Sequence, residues 1–94
     1  MINFKDKKIL VTGATGGIGN ALVKKFLSLG GNVLATGTKI EKLDALKKEF
    51  PKINILKFDI SDHSKIEEFV ENVSSQLTGL DVLVNNAGIN MDNL

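Results

Sequence analysis

Two hydrophobic periods alternate along this chain. Short, nearly continuous apolar runs predict strands, and stretches with an apolar residue every three or four positions predict helices. Lys8 to Thr12 reads as a short buried strand. Ile18, Leu22, Phe26 and Leu29 then recur at helical spacing as far as Gly30-Gly31, a glycine pair suited to a helix C-cap. Asn32 to Thr36 is a second apolar strand. After Gly37, the run Thr38-Lys39-Ile40-Glu41 matches a capping box, with Thr38 as N-cap and Glu41 at the third helical position. The predicted second helix carries Ile40, Leu43, Leu46 and Phe50 on one face and stops at Pro51. Lys52 to Phe58 reads as the third strand and Asp59-Ile60-Ser61 as a turn. Ser61 or Ser64 then caps a third helix, on which Ile66, Phe69, Val70, Val73 and Leu77 make an apolar stripe ended by Gly79. Leu80 to Val84 is the fourth strand, with turn-forming Asn85-Asn86-Ala87-Gly88 at its carboxyl end.

The order is β-α-β-α-β-α-β with short connections. Strands that read as unbroken apolar runs are covered on both faces, so the pattern predicts an α/β fold with a parallel sheet between helical layers. Right-handed crossovers give a Rossmann-type, doubly wound sheet of strand order 3-2-1-4, with its switch point between the first and fourth strands. Ligands of such sheets lie beyond the carboxyl ends of the strands at that crevice. Two glycine-containing segments, Thr12 to Gly19 and Asn85 to Gly88, are therefore expected to flank one site.

Composition narrows the partners. The chain has 94 residues, and a chain of that length buries only about 60–65% of its unfolded surface, which bounds it at one modest domain. Twelve basic residues against eleven acidic ones leave a net charge of +1, no electrostatic footprint for nucleic acid or an anionic membrane. There is no cysteine and one histidine, His63, which reads as a solvated residue of a helix's first turn; neither a disulfide framework nor a metal site is expected. The basic N-terminus lacks the apolar run of a signal peptide, and no stretch approaches a membrane span, so the expectation is a cytoplasmic protein with small-molecule or protein partners.

The glycine turn departs from two better-known patterns. A phosphate-binding P-loop requires a Gly-Lys-Ser/Thr that is absent, and the Gly-x-Gly-x-x-Gly fingerprint is out of register with Gly13-x-x-x-Gly17-x-Gly19. In this turn Gly13 lets the chain reverse, Gly17 brings backbone N–H groups towards a pyrophosphate, and Gly19 permits close packing of helix on strand. The spacing resembles the Thr-Gly-x-x-x-Gly-Ile-Gly signature of the classical short-chain dehydrogenase/reductase family, and Asn85-Asn86-Ala87-Gly88 is identical to that family's second hallmark. Asp59, after the third strand, matches a looser third position. The resemblance spans the whole chain.

What the resemblance implies is a dinucleotide site. Its expected residues are Gly13, Thr15, Gly16, Gly17, Ile18, Gly19, Thr38, Lys39, Asp59, Ile60, Asn86, Ala87 and Gly88. The family role of Asp59 is near adenine, that of Asn86, Ala87 and Gly88 lies along the ribose and nicotinamide, and Asn85 braces neighbouring strands. Thr15 and Gly16 stand where the family often has Ser-Arg, so one common basic contact is missing. An NAD site places an acid at the end of the second strand, about twenty residues past the glycines, to bind the ribose 2′-OH. Here that region reads Ala35-Thr36-Gly37-Thr38-Lys39, without an acid, and the expected cofactor is NADP(H).

Gly88-Ile89-Asn90-Met91-Asp92-Asn93-Leu94 is similar to a run common in 3-oxoacyl-[acyl-carrier-protein] reductases, departing at Asn90 and Met91. That similarity implies reduction of a 3-oxoacyl thioester on acyl carrier protein, as in fatty acid biosynthesis, by a protein that is a homo-tetramer when intact. The family's Tyr-x-x-x-Lys pair, Ser and Asn are expected beyond Leu94, and the chain contains no tyrosine. Residues 1–94 are accordingly expected to be the NADP-binding portion of a Rossmann fold without its catalytic half, inactive alone and carrying no catalytic residue. The alternative is a non-catalytic dinucleotide-binding or regulatory module; a Tyr-x-x-x-Lys in the gene past Leu94 separates the two. An extended-family epimerase or dehydratase fits the two motifs less well.

Overall fold

The computed structural model describes residues 4–59, 62–77 and 79–86. Four parallel strands, β1 (Lys8–Thr12), β2 (Asn32–Gly37), β3 (Asn54–Lys57) and β4 (Val82–Asn85), form one sheet in the order β3-β2-β1-β4. The helices are α1 (Gly17–Ser28), α2 (Ile40–Glu49) and α3 (Ile66–Leu77), the last preceded by a 3-10 turn at His63–Lys65. This is the doubly wound α/β arrangement that the alternating periods predict. The central strands are the buried ones: every residue of β1 but Lys8 and every residue of β2 but Asn32 is buried, whereas β3 and β4, at the sheet edges, are half covered.

One face of the sheet packs Ile9, Val11, Val33 and Ala35 with Val23 of α1, Leu46 of α2 and Ile53. The opposite face packs Leu10 and Leu34 with Val73 and Leu77 of α3. Burial of each such aliphatic side chain stabilises the fold by about 1.5–3 kcal/mol. Asp81 fixes the register of β4 on β1: its carboxylate accepts from the Lys8 N–H at 2.8 Å, and its own N–H donates to the Lys8 carbonyl at 2.9 Å.

Helix ends follow local chemistry, with one exception. Helix α1 closes with C-cap Leu29 and Gly30 at φ +89°; Gly30 N–H donates to the Leu27 carbonyl and Gly31 N–H to that of Phe26, the paired bonds of a Schellman motif. The expected capping box at Thr38 does not form. Lys39 is the N-cap of α2 and no side chain caps that end, because β2 continues to Gly37 and leaves Thr38 in an exposed bend. Ser64 lies within the 3-10 turn and its hydroxyl donates to Asp62 Oδ1 at 2.6 Å, so it caps nothing on α3; Ser61 lies outside the described residues.

Edge strands are shorter than their apolar runs suggest. The third spans Asn54–Lys57 where Lys52 to Phe58 is expected, and the fourth spans Val82–Asn85 where Leu80 to Val84 is expected. The ladders pair β3 with Leu34 to Gly37 and β4 with Ile9 to Thr12; ahead of β3 the Ile53 N–H turns back to the Phe50 carbonyl at 3.1 Å.

Candidate functional site

Because all four strands are parallel, their carboxyl ends open on one edge of the sheet, and each end is followed by a predicted site segment. Gly13 follows β1, Thr38 and Lys39 follow β2, Asp59 comes two residues after β3, and Asn86 follows β4. The glycine turn stands at the switch point, between the helix that leads from β1 to β2 and the strand β4 on the other side.

Three glycines of the turn have different geometries. Gly13 takes φ +61°, a conformation that side chains disfavour, and this sends the chain out of β1. Gly19 is buried: a Cβ there would collide with the Gly13 carbonyl oxygen and stand 2.7 Å from Ala14 Cα. This is the close helix-to-strand approach that lets α1 start so near the sheet. Gly17 is the reverse case, exposed at the first position of α1, where a Cβ would meet nothing within 4 Å. Gly16, the N-cap, is exposed as well, with only the Gly13 oxygen 3.9 Å from a notional Cβ. Neither Gly16 nor Gly17 is required by packing or by a positive φ.

Hydrogen bonds tie the turn to both neighbouring strands. Ala14 N–H donates to the Thr36 carbonyl of β2 at 2.9 Å. Asn86 Nδ2 donates to the Gly13 carbonyl at 3.0 Å, so the side chain after β4 holds the turn after β1. Beneath it, the Thr12 hydroxyl shares its proton between the Val84 carbonyl at 3.3 Å and Asn85 Oδ1 at 3.2 Å. Asn85 thus joins β4 to β1 through its side chain. Thr12 and the side-chain role of Asn86 are additions to the expected site; the clue in the sequence is that both hallmarks place a hydrogen-bonding side chain at a strand end.

The remaining expected residues lie around the same edge. Thr15 is half-buried with its side chain against Gly37, Ile18 points outward at 58% exposure, and Thr38, Lys39 and Asp59 are exposed. No acid stands between Ala35 and Lys39. Ile60, Ala87 and Gly88 lie outside the described residues. Among the described residues there is no group of three or more His, Cys, Asp or Glu side chains that could hold a metal ion, and no helix is long and apolar enough to cross a membrane.

An open, doubly wound parallel sheet with a four-then-two glycine turn at its switch point defines a Rossmann-type α/β protein. Residues 7–94 match the family model described as short chain dehydrogenase, and the chain belongs to that family. It is 42% identical over 83 residues to the NADP-dependent 3-hydroxy acid dehydrogenase YdfG of Salmonella typhi, covering 86% of this chain and 33% of the relative. It is 38% identical over 89 residues to 3beta-hydroxysteroid dehydrogenase 2 of Eggerthella lenta, covering 90% of this chain and 34% of the relative. Among solved structures, a metagenomic short-chain oxidoreductase in complex with NADP superposes with a TM-score of 0.83 at 36% identity, over 92% of this chain and 41% of that one. The chain thus spans about a third of the length of the curated relatives it matches.

Proposed function

We propose that this chain is the dinucleotide-binding part of an NADPH-dependent carbonyl reductase. The observation that carries the reading is the pairing of an open glycine turn with the acid-free end of β2. Gly16 and Gly17 leave the outer side of the turn free of Cβ atoms where the fold itself makes no demand for it, as a backbone approached by a pyrophosphate requires. Gly13, Gly16 and Gly17 would line the pyrophosphate, with the first backbone N–H groups of α1 directed at it. Thr38 and Lys39 would meet the 2′-phosphate, where an acid would repel it. Asp59 and Ile60 would lie along adenine, and Asn86, Ala87 and Gly88 along the ribose and nicotinamide. When bound, the cofactor supplies the hydride. The chain's own residues hold and orient it, and Asn86 keeps the Gly13 carbonyl, and with it the turn, in place.

The names of the relatives support the cofactor and the reaction class: one is an NADP-dependent 3-hydroxy acid dehydrogenase and another a 3beta-hydroxysteroid dehydrogenase. Both names place the reacting oxygen at a carbon numbered three, in differing substrates. For this chain the proposed substrate is a 3-oxoacyl thioester on acyl carrier protein, supported by the run Gly88 to Leu94. The intact protein is proposed to be a homo-tetramer whose proton donor comes from a Tyr-x-x-x-Lys pair outside these residues.

Two measurements on the intact protein test this. Titration with NADPH and NADH is expected to favour NADPH by about tenfold or more, the effect of one charge-assisted phosphate contact; tighter binding of NADH overturns the cofactor assignment. NADPH oxidation is expected with a 3-oxoacyl thioester. NADPH binding without turnover on any of a panel of 3-oxo thioesters, 3-oxo acids and 3-oxosteroids favours a non-catalytic binding module instead.

A further inference from the structure

We propose that Lys42 is a specificity-determining residue, a cation that selects a dinucleotide bearing a 2′-phosphate over one bearing a free 2′-hydroxyl. The inference rests on the NADPH reading above and goes beyond it by naming a residue that neither sequence motif contains.

The turn from Gly13 to Gly19 carries no charged side chain, so a cation for the phosphate has to come from an adjoining element. The element it touches is the end of β2. Ala14 bonds to the Thr36 carbonyl, and Thr15 Cγ2 lies 3.3 Å from the place a Cβ on Gly37 would occupy. Helix α2 starts three residues after Gly37, running away from this edge. Lys42 lies in its first turn, three residues after the N-cap Lys39, at the edge-facing end of the helix. Lys42 and Thr15 line an open groove of about 210 Å³ between the glycine turn and α2, together with Asn20.

The acid of this groove is at its far end. Glu49 lies seven residues after Lys42, two helical turns or about 10 Å further along α2, and its carboxylate accepts from Asn20 Nδ2 at 3.4 Å. Among the described residues no carboxylate pairs with Lys42 or Lys39, and both are exposed. A flexible four-carbon stem on the first turn of α2 can bring an unpaired ammonium over Thr15 and Gly16, where the turn itself offers only backbone and a hydroxyl. Lys42 then adds a cation on the groove beside the glycine turn, in the same stretch of chain as Lys39.

The test measures NADPH and NADH dissociation constants for the intact protein and for Lys42→Gln and Lys42→Arg. Lys42→Gln is expected to weaken NADPH by about five- to tenfold, to leave NADH within twofold, and to flatten the salt dependence of NADPH binding. Lys42→Arg is expected to restore the preference. A wild-type protein that binds NADH as tightly as NADPH overturns the cofactor reading itself, before any variant is made. A wild type that prefers NADPH, with the preference unchanged in Lys42→Gln, overturns the role of Lys42 alone. The unchanged NADH affinity serves as the folding control, since a structural effect would weaken both nucleotides.

Discussion

Gly17 and Gly19 stand two residues apart and serve opposite geometries. At Gly19 an added methyl has no room against the Gly13 carbonyl and Ala14. Gly19→Ala is therefore expected to cost about 2–3 kcal/mol, lowering the melting temperature of the intact protein by roughly 4–12 °C. At Gly17 the same methyl meets only open space, so Gly17→Ala is expected to leave the melt within about 2 °C while weakening NADPH by about tenfold or more through the lost backbone approach. Equal affinity in Gly17→Ala and wild type would remove the argument for the cradle. The side-chain links are a third case. Thr12→Val leaves Asn85 Oδ1 and the Val84 carbonyl without their shared donor, and a loss of about 1–2 kcal/mol is expected in denaturant titration. At this scale the glycine positions were readable from spacing, because a backbone constraint leaves its mark on residue type. The bond from Asn86 to Gly13 was not, since nothing local joins residues 73 positions apart.

Elements show where pattern and packing diverge. The apolar stripe of α3 is the most regular in the chain, yet only Val73 and Leu77 are buried, Phe69 is half-buried, and Ile66 and Val70 are 40% and 55% exposed. Periodicity identifies the face a helix offers; how much of it is covered depends on what lies opposite. Phe69 gains a stacked contact with Phe58, ring centroids 3.9 Å apart, which ties the start of α3 to the residue after β3. With only Phe69 half-buried beside its two buried residues, where α1 adds Asn20, Leu22, Phe26 and Leu27 to its own two, α3 is expected to exchange its amide hydrogens faster than β1, β2 and α1 in a native-state exchange experiment. Protection of α3 equal to that of α1 would contradict this. Helix α2 gives the complementary lesson. Its Thr-x-x-Glu run satisfies the pattern of a capping box, but pairing of β2 with β3 through Gly37 and Lys57 extends the strand and moves the helix start past Thr38.

For the molecule as a whole, the two faces of the sheet are unequally dressed. Among the described residues, helices α1 and α2 share one face and α3 alone packs on the other, where Val70, Leu80 and Leu83 line an open apolar hollow of about 330 Å³ with Phe69 and Val73. Leu83 is 58% exposed on β4, which ends the sheet among the described residues. An apolar hollow beside a free parallel edge favours association. The 94-residue chain on its own is expected to be marginally stable and to self-associate, and Leu83→Lys is expected to reduce the association seen in sedimentation. A cooperative melt of a monomer in dilute solution would refute the expectation.

By itself the sequence determined the kind and order of the elements, the parallel sheet and the strand order β3-β2-β1-β4, because periodicity, crossover handedness and turn chemistry are local or nearly local properties. It also located the glycine turn, whose residue types record backbone demands at Gly13 and Gly19. Only the tertiary structure decided how far each edge strand runs, that Lys39 and not Thr38 is the N-cap of α2, that Asn86 holds the Gly13 carbonyl, and that Lys42 and Thr15 border one groove. Those features depend on pairs of groups distant in the chain, and their energies arise only when the sheet has brought the strand ends to a common edge.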